Sequence, residues 1–373
     1  MGKNVEKEKW RLIEFDIEST ARVMAGVLLA TMRSAKEGIA PNTLLIATPR
    51  KHSVTAGYHA DAERYIDIGY CKEHAIEIAR IFLGHGSGIY DKGNIITYII
   101  CDRSKVKSKD LTNLYEEILT PYANAFHERF GINTFYRPLN DIMFGDKKVS
   151  GSSFIMDEDK VYCPVFFQVK HPDTEVFSKA IRMPPEKYAD KAEAEMESAE
   201  AIAKRVYSYE AAAGKEIPLE EARETIKDAV AKKFNNVELI PGEFIEEERK
   251  WIKEAEEKYV NNDEWLLASS VKRKLGEIPP DVEKHEYGMK IPGGPALWIA
   301  ALVKENKIQK IAITGSMHTA PVTLIEDLEK RLQGCPARKE TIRERTNEVL
   351  CKGMIGASTS EDFVTTITET ISI

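Results

Sequence analysis

The sequence predicts an α+β protein built in two parts, and three observations carry that reading. Short apolar runs separated by turn residues, at 43–47, 75–81, 95–101, 148–156 and 161–169, read as strands of a β-rich core. From about 173 to 260 the chain turns helical and strongly charged. Beyond Asn261-Asn262-Asp263 the character changes again, to a small α+β unit. A length of 373 residues suits two domains. The expected division is 1–255, with a helical extension at about 173–255, and a smaller domain at 264–373.

Taken in order, 10–17 alternates apolar and charged residues and reads as a strand. Ser19 or Thr20 caps a helix over 20–36 with Met24, Val27, Leu28 and Met32 on its buried stripe. A strand at 43–47 ends at Pro49, and Gly57-Tyr58-His59 precedes a helical segment at 62–72. The helix at 110–128 shows Leu111, Leu114, Tyr115, Ile118 and Leu119 at three- and four-residue spacing. Strands follow at 140–144, 148–156 and 161–169, joined by the turns Gly145-Asp146 and Asp157-Glu158-Asp159. The run 184–213 reads as solvated helix. In the second part, strands are expected at 296–303 and 310–313 and helices at 321–332 and 339–350. The Thr-rich last dozen residues show only weak patterning.

Composition excludes several classes of function. A net charge of −7, from 53 basic and 60 acidic residues, argues against a nucleic-acid binder. The cysteines Cys71, Cys101, Cys163, Cys335 and Cys351 form no CxxC pair, which fits a reducing compartment. The charged N-terminus has no apolar stretch of a secretion signal, and no apolar run approaches the roughly 18 residues of a membrane span. The expected location is the cytoplasm, with no membrane partner.

Two stretches carry candidate chemistry. Gly84-His85-Gly86-Ser87-Gly88 leads through Ile89 and Asp91 into an apolar run at 95–100. Glycines let a backbone approach a ligand closely, so the loop reads either as a phosphate or carboxylate cradle or as a plain β-turn. It lacks the Gly-Lys-Ser/Thr of a P-loop, and strand rather than helix follows it, against a dinucleotide fingerprint. The second stretch is Asn140-Asp141, then Asp146-Lys147-Lys148-Val149-Ser150-Gly151-Ser152. Lys148 follows a tight turn, where its ammonium either points into a cleft and stabilises charge on a carboxylate and a phosphate, or is simply solvated. Asp141 is a candidate Mg2+ ligand.

Together the stretches spell Arg-x3-Gly-x-Gly-x4-Asp-x-Gly-Asn and Asn-Asp-x4-Asp-Lys-Lys-Val-Ser-Gly-Ser. That pattern resembles the lipoate–protein ligase A family, with its Arg-Arg-x-x-Gly-Gly-Gly loop, Asp-x-Gly-Asn and Gly-Arg-Lys-(Ile/Val)-Ser-Gly-Ser strand. Gly57-Tyr58-His59, the helical region 187–208, Trp265, Gly293-Gly294, and Thr314-Gly-Ser-Met-His-Thr-Ala-Pro321 extend the likeness over nearly the whole chain. The resemblance implies a biotin/lipoate protein ligase-like, class II synthetase-like catalytic domain with a small α+β accessory domain. It implies adenylation of lipoate by ATP with Mg2+, then transfer to a lysine of a lipoyl domain. The acceptors would be 2-oxoacid dehydrogenase acyltransferase subunits or the glycine-cleavage H protein. Lys148 would contact the carboxylate and α-phosphate. Gly84, His85, Gly86, Ser87, Gly88 and Ile89 would wrap the adenylate, and Asn140 and Asp141 would sit at the nucleotide and its Mg2+. Arg80, Asp91, Ser150 and Gly151 complete the implied binding set.

The chain departs from the pattern where Ile81 replaces the second arginine, where His85 replaces the middle glycine, and where Cys163-Pro164 replaces a His-Gly. Cys163 raises an alternative, an ATP-independent octanoyl or lipoyl transferase working through a thioester; its bland reading is a small buried strand residue. A third reading is a non-catalytic binder of lipoyl domains or of a lipoate-like ligand. His52, His59, His74, His127, His171, His285 and His318 form no metal spacing and read as structural.

Overall fold

The computed structural model describes residues 7–156, 159–182, 184, 206–235 and 237–372. Most of the expected helical run 184–213 therefore lies outside the described residues; its end is the short helix Tyr209–Ala213. The first part contains β1 (Glu8–Ile17), β2 (Thr43–Pro49), β3 (Ser53–Ala56), β4 (Glu77–Arg80), β5 (Ser87–Tyr90) and β6 (Ile95–Asp102). After the helix Leu111–Phe130 come β7 (Thr134–Arg137), β8 (Asp141–Phe144), β9 (Lys147–Ser152), β10 (Ile155–Met156) and β11 (Lys160–Phe167), and later β12 (Val237–Pro241). Among the described residues, the main sheet has the order β12-β1-β2-β6-β11-β9-β8-β7, with β10 on β11. β1 runs parallel to β2 and β12, and the remaining pairs are antiparallel.

Both faces of this sheet are covered, which is why its central strands read as unbroken apolar runs. Ile95, Ile99 and Cys101 of β6 join Cys163, Val165 and Phe167 of β11 on one face. That face packs under the helices Leu111–Phe130 and Leu219–Lys233. Asp110 caps the first of these by accepting from the Asn113 N–H (3.0 Å). Ile96, Tyr98 and Ile100 point to the opposite face, onto the helix 20–36 and against Ile252 and Tyr259 of Glu246–Tyr259. The latter helix is pinned to β1 by a two-pronged pair, Arg11 to the fully buried Glu248 (2.8 and 2.7 Å). A separate three-stranded sheet, β4-β3-β5, stands beside the main one.

The C-terminal part is an antiparallel sheet of β13 (Glu283–Lys290), β14 (Ala296–Lys304) and β15 (Lys307–Ser316), with the helices Leu324–Leu332, Lys339–Leu350 and Ser360–Thr370. The short β16 (Thr319–Ala320) and β17 (Met354–Ile355) pair at its margin. Its core gathers Leu297, Ile299, Ile313, Leu328, Phe363 and Ile367. Each such side chain removed from water contributes about 1.5–3 kcal/mol.

The weakly patterned tail is in fact the helix Ser360–Thr370, opened by a Thr359/Asp362 capping box. Thr366, Thr368 and Thr370 donate to the carbonyls of Asp362, Val364 and Thr366 (2.7, 2.9 and 2.8 Å). Hydroxyls satisfied in this way can be buried in a helix, so threonine content masked it. Four-residue strands β3, β5 and β7, the long strand β13, and β12 inside the expected helical stretch are further differences from the sequence reading.

The two parts meet along β3, β4 and the turn after β3. The Asn261 N–H donates to Ile78 O (2.8 Å) and its side chain accepts from the Ile78 N–H (2.9 Å). Ser269 donates to Ala60 O (2.5 Å), the Val271 N–H to the Asp61 carboxylate (2.9 Å), and the Gly315 N–H to His59 O (2.9 Å).

Candidate functional site

Strand parity places the site. In β11, Cys163, Val165 and Phe167 face the helix-covered core, so Pro164, Phe166 and then Gln168 face the other way. On that side lies a cavity of about 330 Å3, at the lower end of the range for small-molecule sites. Met24, Leu83, Ile89, Phe166 and Phe177 supply its apolar lining. Asn140, Asp141, Lys148, Ser152, Ser153, Gln168 and His318 supply its polar lining. Met24 belongs to a stretch, Val23–Val27, where the helix widens to π geometry, a distortion that often accompanies ligand sites.

The glycine loop forms one wall. It leaves β4, crosses the end of β3 and enters β5, tied by Gly57 N–H to Gly86 O (2.8 Å) and Tyr58 N–H to Leu83 O (2.9 Å). Half of the expected loop is thus strand: Ser87–Tyr90 pairs with β3. His85, Gly86, Ser87, Gly88 and Ile89 line the cavity. Gly84 does not; a Cβ there would lie 2.3 Å from the Met317 carbonyl oxygen, so this glycine admits the C-terminal segment rather than a phosphate.

Arg80 is also off the cavity. It is 3 % exposed, donates Nε and Nη2 to Tyr58 O (3.0 and 2.7 Å), and lies between the rings of Tyr58 and Trp265 (4.2 and 4.5 Å). Burial lowers its affinity for a proton and raises the Tyr58 phenol to about 12. Asp91 is likewise buried and occupied, by His52 Nδ1 (2.8 Å) and the Asp173 N–H (2.6 Å). The resemblance places both in the substrate- or nucleotide-binding set; here their donors and acceptors are taken up inside the protein.

The opposite wall is the β8–β9 hairpin. Ile142 pairs with Ser150 but Met143 pairs with Lys148, so an extra residue bulges out of β9 and re-aims the strand. Lys148 lines the cavity with its side chain 42 % exposed, and its ammonium lies 2.6 Å from Asp141. A Cβ on Gly151 would come within 2.7 Å of that ammonium, so glycine here makes room for it. Asn140 holds the hairpin through Ser152 O (2.6 Å), and the Ser150 hydroxyl pairs with Tyr209 (2.8 Å).

The structure therefore gathers His85, Gly86, Ser87, Gly88, Ile89, Asn140, Asp141, Lys148, Ser150 and Gly151 around one cavity, and leaves out Arg80, Gly84 and Asp91. Lys148 is the single Lys or Arg, and Asp141 the single carboxylate, in the described lining. Among the described residues no three His, Cys, Asp or Glu side chains gather as a metal site. One carboxylate suits a Mg2+ ion that arrives on nucleotide phosphates, and is too little to hold the ion by itself.

Cys163 is ruled out as a cavity nucleophile. It is fully buried on the core face and burial pushes its thiol well above the ordinary value, so a thioester there is inaccessible to substrate. Conversely, His318, read as structural, lines the cavity, as do Met24, Phe166, Phe177 and Gln168. Period-two alternation in β11 was the available signal for Phe166 and Gln168. No local pattern announced His318.

The sequence profile described as lipoyl protein ligase A/B catalytic domain matches residues 27–231, and that of the bacterial lipoate protein ligase C-terminus matches residues 292–367. Lipoate-protein ligase A subunit 1 of Thermoplasma acidophilum is 26% identical over 190 residues, 48% of this chain and 70% of that protein. A structure of P. falciparum LipL1 in complex with lipoate superposes with a TM-score of 0.68 at 13% identity, covering 98% of this chain and 99% of that one. A lipoate-protein ligase A bound with ATP superposes at 0.58 and 20% identity, over 70% of this chain and 99% of that chain. No helix among the described residues is long and apolar enough to cross a membrane.

Proposed function

Because this chain belongs to the lipoyl protein ligase A/B catalytic family, we propose that it joins lipoate, or an acyl acid of similar shape, to the ε-amine of a lysine on a lipoyl domain at the expense of ATP. The observation that carries this reading is the cavity lining: an apolar part fit for an acyl chain, and a polar part where Lys148 is the one Lys or Arg among the described residues. In the first half-reaction a carboxylate oxygen attacks the α-phosphorus, pyrophosphate leaves, and an acyl-AMP anhydride forms. The Lys148 ammonium moves from Asp141 onto the carboxylate and phosphate oxygens, where negative charge gathers. Mg2+ carried by the nucleotide would share that charge, with Asp141 as its protein ligand.

In the second half-reaction the acceptor amine attacks the acyl carbon, the C–O bond to AMP breaks, and the amine's surplus proton passes to solvent. No enzyme nucleophile is needed, in keeping with a buried Cys163. The protein's tasks are orientation and exclusion of water from the anhydride. Lipoyl domains of 2-oxoacid dehydrogenase acyltransferase subunits and the glycine-cleavage H protein are the proposed acceptors.

The test is mass spectrometry of an apo lipoyl domain incubated with the protein, lipoate and Mg-ATP. An acceptor heavier by one lipoyl group only when ATP is present supports the ligase. Addition without ATP, from an acyl-carrier protein, overturns it in favour of a transferase. The internal use of Arg80 and the apolar Ile81 favour a second reading, a binder; lipoate bound with no transfer is its signature.

A further inference from the structure

Beyond Ser316, where β15 ends, the chain runs on as Met317–His318, and this segment lies on the glycine loop at Gly84. It delivers His318 to the cavity that Lys148 lines from the other part of the chain. The imidazole is held in a defined way. Its Nδ1 is 2.9 Å from the hydroxyl of Tyr115, a fully buried residue of the helix Leu111–Phe130. The rings meet edge to face, with centroids 5.8 Å apart. The neighbouring Ser153 hydroxyl donates to Gly84 O (3.2 Å), on the glycine loop. A Tyr115 O–H that donates to Nδ1 leaves the ring hydrogen on Nε2. Burial, aided by the Lys148 ammonium, lowers the imidazole to about 4, so it is neutral around pH 7.

We infer that His318 is a second electrostatic element of the site, donating through Nε2–H to the carboxylate of the bound acyl acid and to the acyl oxygen as it gains negative charge. This rests on the lipoate ligase reading and adds to it a residue from the C-terminal part, so that the segment 314–320 completes the reaction site. Lys148 supplies charge, and His318 supplies a fixed dipole that needs no counter-ion. A neutral ring already protonated on Nε2 is unsuited to take the amine's proton, which separates this role from that of a general base.

The experiment compares wild type, His318→Ala and His318→Gln in lipoate-dependent ATP–pyrophosphate exchange and in transfer from preformed lipoyl-AMP, with melting temperatures recorded for all three. Glutamine keeps an N–H donor and has no titrating nitrogen. The expected result is a kcat loss of about 100-fold in both half-reactions for the alanine variant, with glutamine recovering activity to within about tenfold of wild type. The wild-type and glutamine pH profiles should coincide above pH 5. An alanine variant as fast as wild type overturns the inference. So does a folded glutamine variant as slow as alanine, which would mark a base or a purely structural residue. Should wild type itself transfer nothing, the ligase reading fails, and calorimetric lipoate affinity decides His318 on its own. Equal affinity of wild type and alanine variant overturns the role; weakening by tenfold or more in alanine, but not in glutamine, supports it.

Discussion

Arg80 and Lys148 are both cations beside short strands near one cavity, yet the protein uses them in opposite ways. Arg80 is 3 % exposed, with its donors on the Tyr58 carbonyl and its plane between two aromatic rings. Lys148 is 42 % exposed at its side chain and shares one movable partner, Asp141. The guanidinium's fixed fork suits a permanent clamp, whereas an ammonium on a flexible stem can change partners during a reaction. What the difference teaches is that residue type near a glycine loop is a poor guide to role. The decisive variables are which side of the strand a residue leaves and what has already claimed its donors.

Substitutions at the two positions should separate these roles. Lys148→Ala should lower lipoyl transfer about 100- to 1,000-fold by mass spectrometry of the acceptor, with a melting temperature close to wild type because the side chain is half exposed. Arg80→Met should do the reverse. It should cost about 2–4 kcal/mol of stability in denaturant titration through lost ring contacts and an unpaired buried carbonyl, and the surviving folded fraction should keep its turnover. If Arg80→Met instead kept full stability and lost ATP affinity, the contrast would collapse.

A pH series tests the histidine side of the site. His318 sits at about 4 in the folded chain against an ordinary 6.5, so the unfolded chain binds the proton first as pH falls. Stability should therefore decline from about pH 6.5 toward pH 4 and be unaffected by this group at higher pH. With partial exposure taken into account, its share is on the order of 1–2 kcal/mol. Melting of His318→Gln should show a shallower acid slope. Gly151→Ala should slow transfer several-fold, since the added carbon displaces the Lys148 ammonium while leaving the strand intact. Cys163→Ala should have the smallest effect on turnover, less than about twofold, with a loss near 1 kcal/mol for a small core cavity.

Much of the main sheet was legible because its central strands are long, apolar and bounded by turns, as at Ile95–Asp102. The Lys148 strand was legible through its tight turn and short motif. What was hidden has physical causes. Strands of four residues such as Ser87–Tyr90 lie below the length at which a period can be read. The helix Ser360–Thr370 hid behind hydroxyls satisfied on their own carbonyls. Arg80 was misplaced since its motif speaks of phosphate, while its partners, Tyr58 and Trp265, come from distant sequence. His318 was missed for the same reason: only the packing of Met317–His318 on Gly84 brings it to Lys148.

The clamp around Arg80 also endows the molecule with an optical gauge. Trp265 follows the Asn261-Asn262-Asp263 break, stacks on Phe82 with centroids 4.9 Å apart, and donates its indole N–H to Arg80 O (2.7 Å). A guanidinium 4.5 Å from its ring centre sets the local field felt by the indole. Release of Trp265 from this clamp exchanges that cation and that carbonyl for water. The emission colour of Trp265, one of four tryptophans, thus registers whether the clamp on Arg80 is closed.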